Sequence, residues 1–206
     1  GVIAEAGIVP LARVPSNSHE NIKRCLDNGA FGIVVPMVNT AEEARAAVEA
    51  TRYHPAGNRS VGGSLHCLNF DVPASEYYAE ASNEIFVAVQ TEHIEAVENA
   101  EEICAVEGVD AIFVGPNDLL QSMGKTPGME SDDKEFVEAM DHLRETALKH
   151  GVAPGLHTLL PEQLRRRLDE GWTFLALGSD VALMLQGAKS SLKEAGITGD
   201  GDSARY

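Results

Sequence analysis

A chain of 206 residues, 44% hydrophobic and 23% charged, is long enough for one domain with a sizeable core and has the composition of a globular protein. Its 32 Asp and Glu against 16 Lys and Arg give a formal charge of −16, which would repel nucleic acid and anionic membranes, since both are held through Lys and Arg. No run of about 18 apolar residues suggests a spanning helix, no basic stretch followed by an apolar one suggests a secretory leader, and scattered Cys25, Cys67 and Cys104 read as buried thiols of a cytoplasmic protein.

The acidic excess fits either a soluble acidic enzyme or a surface adapted to high salt, where Asp and Glu crowd the solvated segments.

The first apolar run, IVPLARV (8–14), reads as a strand that delivers Arg13 at its end. Residues 19–30 then place Ile22, Cys25 and Leu26 on one helical face and stop at Gly29, a residue suited to a helix C-terminus. The run 31–38 (FGIVVPMV) is a second strand, ending on Pro36 and Met37. A helix is expected from Thr40, because Thr40 as N-cap and Glu43 three residues on make a capping box. The segment 54–84 is too long for an ordinary connection. Gly-rich early and aromatic later, it reads as a substrate-facing lid, an oligomer contact or a surface excursion. The run 85–92 (IFVAVQTE) is a third strand that brings Gln90 and Glu92 to its end, followed by one helical stretch over 92–108. A fourth, AIFVGPND (111–118), stops on Gly115, Pro116, Asn117 and Asp118. Helical spacing over 134–151, a strand over 152–159 ending at Leu156 and His157, helical spacing over 159–172 and a strand over 174–181 ending at Gly178, Ser179 and Asp180 complete the series. The tail 198–206 is expected to be disordered.

Apolar strands alternating with amphipathic helices argue for an all-parallel sheet covered by helices. No G-x-G-x-x-G follows the first strand, which disfavours a dinucleotide-binding sheet and leaves an α/β barrel. A (β/α)8 TIM barrel has eight units and six are visible, so the expectation is a single domain over 1–197 lacking the first two βα units.

In such barrels the active site forms at the C-terminal strand ends. Glu92 and Asp118 stand on adjacent ends. Two like charges held close are costly unless a cation joins them or one is protonated. A few hard oxygen ligands with open positions suit Mg²⁺ or Mn²⁺ completed by water and substrate. The plainer alternative has each carboxylate capping the helix that follows it.

The stretches VPLARVPSN, LDNGAFGIVVPMVNTAEEARAAVEATRYHPAGNRSVG, VAVQTEH, VEGVDAIFVGPNDLL, APGLHT and FLALGSD resemble, in order and over about 8–190, the HpcH/HpaI aldolase family. These are metal-dependent pyruvate aldolases of class II, built on a TIM barrel. The resemblance implies metal carboxylates at Glu92 and Asp118 and an ion that is Mg²⁺, Mn²⁺ or Co²⁺. It implies an enolate-stabilising Arg13, a Gln90 that contacts metal-bound water or substrate, and a Gly115-Pro116-Asn117 turn whose backbone receives the pyruvate carboxylate. Asp27 matches an acidic residue that pairs with a histidine base, and that base belongs to the second βα unit, one of the two expected to be missing. His19, His66, His93 and His157 do not match its motif. His157 stands where the family usually has an aliphatic residue, either as a pocket contact or as a satisfied histidine at the barrel mouth. Apart from the resemblance, Arg13 could bridge to a carboxylate, and Asp27 could be a surface residue at a helix end. His93 should point away from the metal by strand alternation.

The implied function is cleavage of a 4-hydroxy-2-keto acid to pyruvate and an aldehyde through a metal-stabilised enolate. An acyl-CoA lyase of the citrate lyase or malyl-CoA lyase kind, and a truncated barrel that binds 2-keto acids without turnover, are the alternatives. The implied partners are the small-molecule 2-keto acid and aldehyde, with neither nucleic acid nor membrane, and further copies of the chain in a homo-oligomer, a hexamer by resemblance.

Overall fold

The computed structural model describes residues 2–197. The expected disorder of 198–206 therefore lies outside the described residues. In chain order the elements are α1 (Val2–Glu5), β1 (Leu11–Arg13), α2 (His19–Asp27), β2 (Gly32–Val35), α3 (Ala41–Thr51), α4 (Cys67–Phe70), α5 (Ala74–Glu84), β3 (Phe86–Gln90), α6 (Ile94–Glu98), α7 (Ala100–Cys104), β4 (Ala111–Val114), α8 (Pro116–Ser122), α9 (Lys134–Lys149), β5 (Ala153–Thr158), α10 (Pro161–Asp169), β6 (Phe174–Leu177) and α11 (Asp180–Glu194). No helix among the described residues is long and apolar enough to cross a membrane.

The six strands pair in sequence order and all in parallel, β1-β2-β3-β4-β5-β6. This is an open, curled half-barrel, with β1 and β6 as its edges. Alternation gives the sheet two different faces. Ile33, Val35, Val87, Val89, Ile112, Val114 and Leu156 are fully or almost fully buried, and they share the face on which the helices pack. The opposite, concave face carries Phe86, Phe113 and Phe174, whose rings meet at 5.1 and 5.6 Å centroid distances. Gly155 keeps this row flat, since a Cβ there would stand 2.5 Å from the Phe174 carbonyl oxygen.

The capping box forms as expected. Thr40 Oγ1 accepts from the Glu43 amide at 3.2 Å, and Glu43 Oε2 accepts from the Thr40 amide at 3.2 Å. Two expectations change and one element is added. The helical stretch 92–108 is two helices, because Asn99 leaves helical geometry (φ −96, ψ 12) and gives its side-chain amide to the Asn39 carbonyl at 2.9 Å. The excursion 54–84 folds its second half into α4 and α5. Tyr77 and Ala81 are four residues apart on α5 and both buried, which anchors it. Ahead of the first strand, a stretch to which the sequence pattern assigned no element, the leading residues form the short α1.

Candidate active site

The carbonyl ends of β1 to β4 bring Arg13, Gln90, Glu92 and the Gly115–Asp118 turn together. Arg13 and Gln90 lie on the concave face, by the register Arg13↔Val34↔Ala88 and Gln90↔Phe113. Arg13 Nε donates to Gln90 Oε1 at 3.1 Å, and Gln90 Nε2 donates to Glu92 Oε2 at 2.8 Å. A carboxylate can only accept and a guanidinium only donate, so the two neighbours fix which way the Gln90 amide points. Arg13 reaches Glu92 through this relay and makes no direct ion pair among the described residues. The direct bridge to a carboxylate, the plainer alternative for Arg13, is replaced by the relay, and among the described residues no other hydrogen bond takes the remaining guanidinium N–H groups.

Glu92 is 3% exposed. Its Oε1 accepts the Met37 amide at 3.0 Å. Met37 makes that contact from the left-handed region, at φ 53, which is strained for a residue with a side chain. Gly115 packs against the same carboxylate: a Cβ there would come within 2.4 Å of Glu92 Oε2. Gly115 has an ordinary φ of −97, so close approach and not backbone freedom requires glycine.

Neither carboxylate caps a helix. His93 is the N-cap of α6, its Nδ1 accepting from the Glu95 amide at 3.2 Å. Gly115 is the N-cap of α8, which puts Asp118 inside the first turn, exposed. Burial pushes the Glu92 carboxyl above its ordinary range, and the Asp118 charge adds to this; the Met37 amide and Arg13 pull it back. Glu92 has no ion-pair partner among the described residues. A buried carboxylate without a cation, beside a second carboxylate, is a costly arrangement in a protein interior.

These residues fit a hard divalent cation. Each Glu92 oxygen spends one hydrogen bond and keeps an acceptor site free. Among the described residues no cluster of three or more His, Cys, Asp or Glu is placed for a metal, so the protein would supply two carboxylates and leave positions to water and substrate. The site is an open strand-end surface. A cavity of about 560 Å³ lies elsewhere, between α3 and α7, and is lined by Arg45, Glu49, Glu102 and Glu107.

Asp27 is not part of this group. It ends α2, and its Oδ1 accepts from Arg59 at 2.8 Å while Oδ2 accepts from Lys23. Arg59 is 2% exposed, also donates to the Tyr77 hydroxyl at 3.2 Å, and lies over the Tyr53 ring at 4.7 Å. Burial works against the Asp27 carboxylate, but Lys23 and Arg59 outweigh it and hold its pKa below the usual value. Asn117 turns its side-chain amide toward Met129 Sδ at 3.3 Å. Sequence reasoning gave Met37 no role. Its signal is position, the first residue after the strand-ending proline, but its donor is a backbone amide that any residue carries.

A model of the HpcH/HpaI aldolase/citrate lyase family matches residues 2–187. The chain belongs to this family. It is a carbon–carbon lyase of the aldolase type. A 5-keto-4-deoxy-D-glucarate aldolase from Escherichia coli is 39% identical over 174 residues, which are 84% of this chain and 67% of that protein. The crystal structure of an HpcH/HpaI aldolase from Desulfitobacterium hafniense DCB-2 superposes with a TM-score of 0.84 at 31% identity, covering 97% of this chain and 76% of that one. A family protein from Burkholderia cenocepacia J2315 gives the same TM-score, 0.84, at 29% identity over 94% of this chain and 76% of that one.

Proposed function

We propose that the protein is a divalent-metal-dependent aldolase that cleaves a 4-hydroxy-2-keto acid to pyruvate and an aldehyde. The observation that carries this reading is Glu92, buried without a cation beside Asp118 and within reach of Arg13 through Gln90. A Mg²⁺, Mn²⁺ or Co²⁺ ion held by Glu92 and Asp118 would supply Lewis-acid polarisation of the 2-keto acid.

The chain's own residues supply the rest. Cleavage removes the proton of the C4 hydroxyl, breaks the C3–C4 bond and moves its electron pair to the keto oxygen, releasing the aldehyde. Protonation of the resulting enolate at C3 gives pyruvate. Arg13 serves the charge that develops on the keto oxygen, since its guanidinium stays ionised and Gln90 fixes its direction. In the Gly115-Pro116-Asn117 turn that opens α8, Pro116 has no N–H to give, and the amides of Asn117 and Asp118, which have no intrahelical partner, are the donors offered to the substrate carboxylate. Asp27 would orient a histidine base only if such a residue came from outside the described residues. Its bonds to Arg59 and Lys23 favour a structural task.

The relative's name brings a hydroxylated substrate into the proposal: 5-keto-4-deoxy-D-glucarate, numbered from its other end, is a 4,5-dihydroxy-2-keto acid. An acyl-CoA substrate would need cations for the CoA phosphates, and a net charge of −16 counts against it. In the same reading 1–197 is a single TIM-barrel domain without its first two βα units, which the open six-stranded parallel sheet supports. A homo-oligomer, a hexamer by resemblance, belongs to the same reading. It is supported by α11, exposed along its whole length with Leu183 and Met184 uncovered.

The test is pyruvate release from a 4-hydroxy-2-keto acid with Mn²⁺ or Mg²⁺ added and then removed by EDTA. Release should depend on the ion and vanish in Glu92→Ala. Release that ignores both EDTA and the substitution would refute the reading.

A further inference from the structure

We propose that His157 reads the aldehyde half of the substrate, its Nδ1 accepting a hydrogen bond from a hydroxyl on the carbon next to the reacting one, C5 of the 2-keto acid. The inference rests on the aldolase reading and goes beyond it, because it assigns a selectivity to a residue outside the group that handles the pyruvate half.

Three observations carry it. The first is the face. Gly155 pairs with Phe174, and His157 pairs with Ala176, two steps further along both strands. Side chains two apart share a face, so His157 stands on the concave face that also bears Arg13 and Gln90. The second is the height. Val114 pairs with Leu156, so one step on, Gly115 falls beside His157. Gly115 is the residue packed against the Glu92 carboxylate. His157 is therefore level with the site but two strands from Glu92, roughly 10 Å at the usual strand spacing. That is too far to share the pyruvate half, and it is the right side for the distal carbons of a chain anchored at Glu92 and Asp118.

The third is the ring's orientation. His157 Nε2 lies 3.0 Å from the Gly178 carbonyl oxygen. A carbonyl can only accept, so Nε2 carries the proton, and in the neutral ring Nδ1 is left as an acceptor. His157 is half-buried, and among the described residues its Nδ1 makes no hydrogen bond and is not one of the fully buried unpaired atoms, so it remains accessible to a ligand. A site that hydrogen-bonds a substrate hydroxyl discriminates against an analogue without it, because the acceptor, once covered by the substrate, is then unpaired.

The experiment is the reverse reaction, pyruvate with glycolaldehyde or with propanal, two aldehydes of the same size that differ in one hydroxyl for methyl. The purified protein should prefer glycolaldehyde. His157→Leu should lose about tenfold in kcat/KM for glycolaldehyde, the worth of one hydrogen bond, and hold its rate with propanal. Retained propanal activity doubles as the folding control. His157→Gln, which can donate to Gly178 and still offer an acceptor, should keep part of the preference. An unchanged preference in His157→Leu, or equal losses on both aldehydes in both variants, overturns the inference while the aldolase stands. No addition to either aldehyde by the wild type sinks the aldolase reading, and this inference with it.

Discussion

Glu92 and Asp27 are both carboxylates drawn into the protein, and they are treated in opposite ways. Asp27 is met by two cations of its own chain, Arg59 and Lys23, and its pKa falls. Glu92 is more deeply buried, meets amides from Gln90 and Met37 and no cation, and its pKa rises. A folded chain that can place Arg59 over Tyr53 and against Asp27 has the means to neutralise a buried charge. Leaving Glu92 without that service, and adding Asp118 beside it, makes sense when the missing charge arrives with a ligand. In the proposed reading Asp27 belongs to the stability of the excursion over 54–84, and Glu92 to the metal-dependent chemistry.

The sharpest way to break this contrast is to remove Glu92. Glu92→Ala should abolish Mn²⁺ binding, read by calorimetry, and lower pyruvate release by about 10³-fold or more, the several kcal/mol a Lewis acid gives to a developing oxyanion. Its metal-free melting temperature should stay close to the wild type. A variant that binds Mn²⁺ as before would move the ion's site away from Glu92.

Asp27→Ala should show the converse. Breaking a buried ion pair by removing one partner leaves the other uncompensated, at about 3–5 kcal/mol. Partial exposure of Asp27 and the remaining Arg59–Tyr77 hydrogen bond point to the lower end. At about 2–4 °C per kcal/mol for a chain of this size, the melting temperature should drop roughly 6–12 °C while Mn²⁺ affinity holds. If turnover collapses with the melting temperature intact, Asp27 acts in the reaction and the contrast fails.

Gly115→Ala tests how closely the Glu92 carboxylate is held. The added Cβ, 2.4 Å from Oε2, must displace a side chain whose partners are Gln90 and Met37. Metal affinity should fall about 10–100-fold, the usual cost of disturbing the groups that orient a ligand. Unchanged affinity would mean the carboxylate reorients freely, and the relay from Arg13 would lose its meaning.

Much of this was legible from the chain. The apolar runs gave all six strands, because a parallel strand buried on both faces has to be apolar throughout. The delivery of Glu92 and Asp118 to neighbouring strand ends followed from strand order alone. Whether they capped helices did not. Asp118 lies three residues inside the N-cap of α8, a displacement within the error of placing a helix start by sequence. The Gln90 relay joins β1 to the segment after β3, and the Asp27–Arg59 pair joins residues 32 apart, so both needed the fold. The helix α5 could have been found: Pro73 before a run in which Tyr77 and Ala81 recur at helical spacing is a start signal followed by a buried stripe. The glycines ahead of it masked that signal.

The smallest effect is in pH, and it has opposite signs at the two carboxylates. Asp27 has a folded pKa below its ordinary 3.8, so its contribution is full above that value and is lost as pH falls through the folded pKa. Glu92 has a folded pKa above its ordinary 4.5, so whatever it contributes is present below 4.5 and is lost as pH rises through the folded pKa. In metal-free protein the melting temperature of Glu92→Gln should therefore gain on the wild type as pH climbs from 4.5 toward neutrality. Saturating Mn²⁺ should reverse the order, because only the wild type binds the ion and is stabilised by mass action. Asp27→Ala should instead converge on the wild type as pH drops below 3.8. A Glu92→Gln curve parallel to the wild type at every pH would show that the buried carboxylate is already compensated within the chain, and the argument for an incoming cation would lose its physical ground.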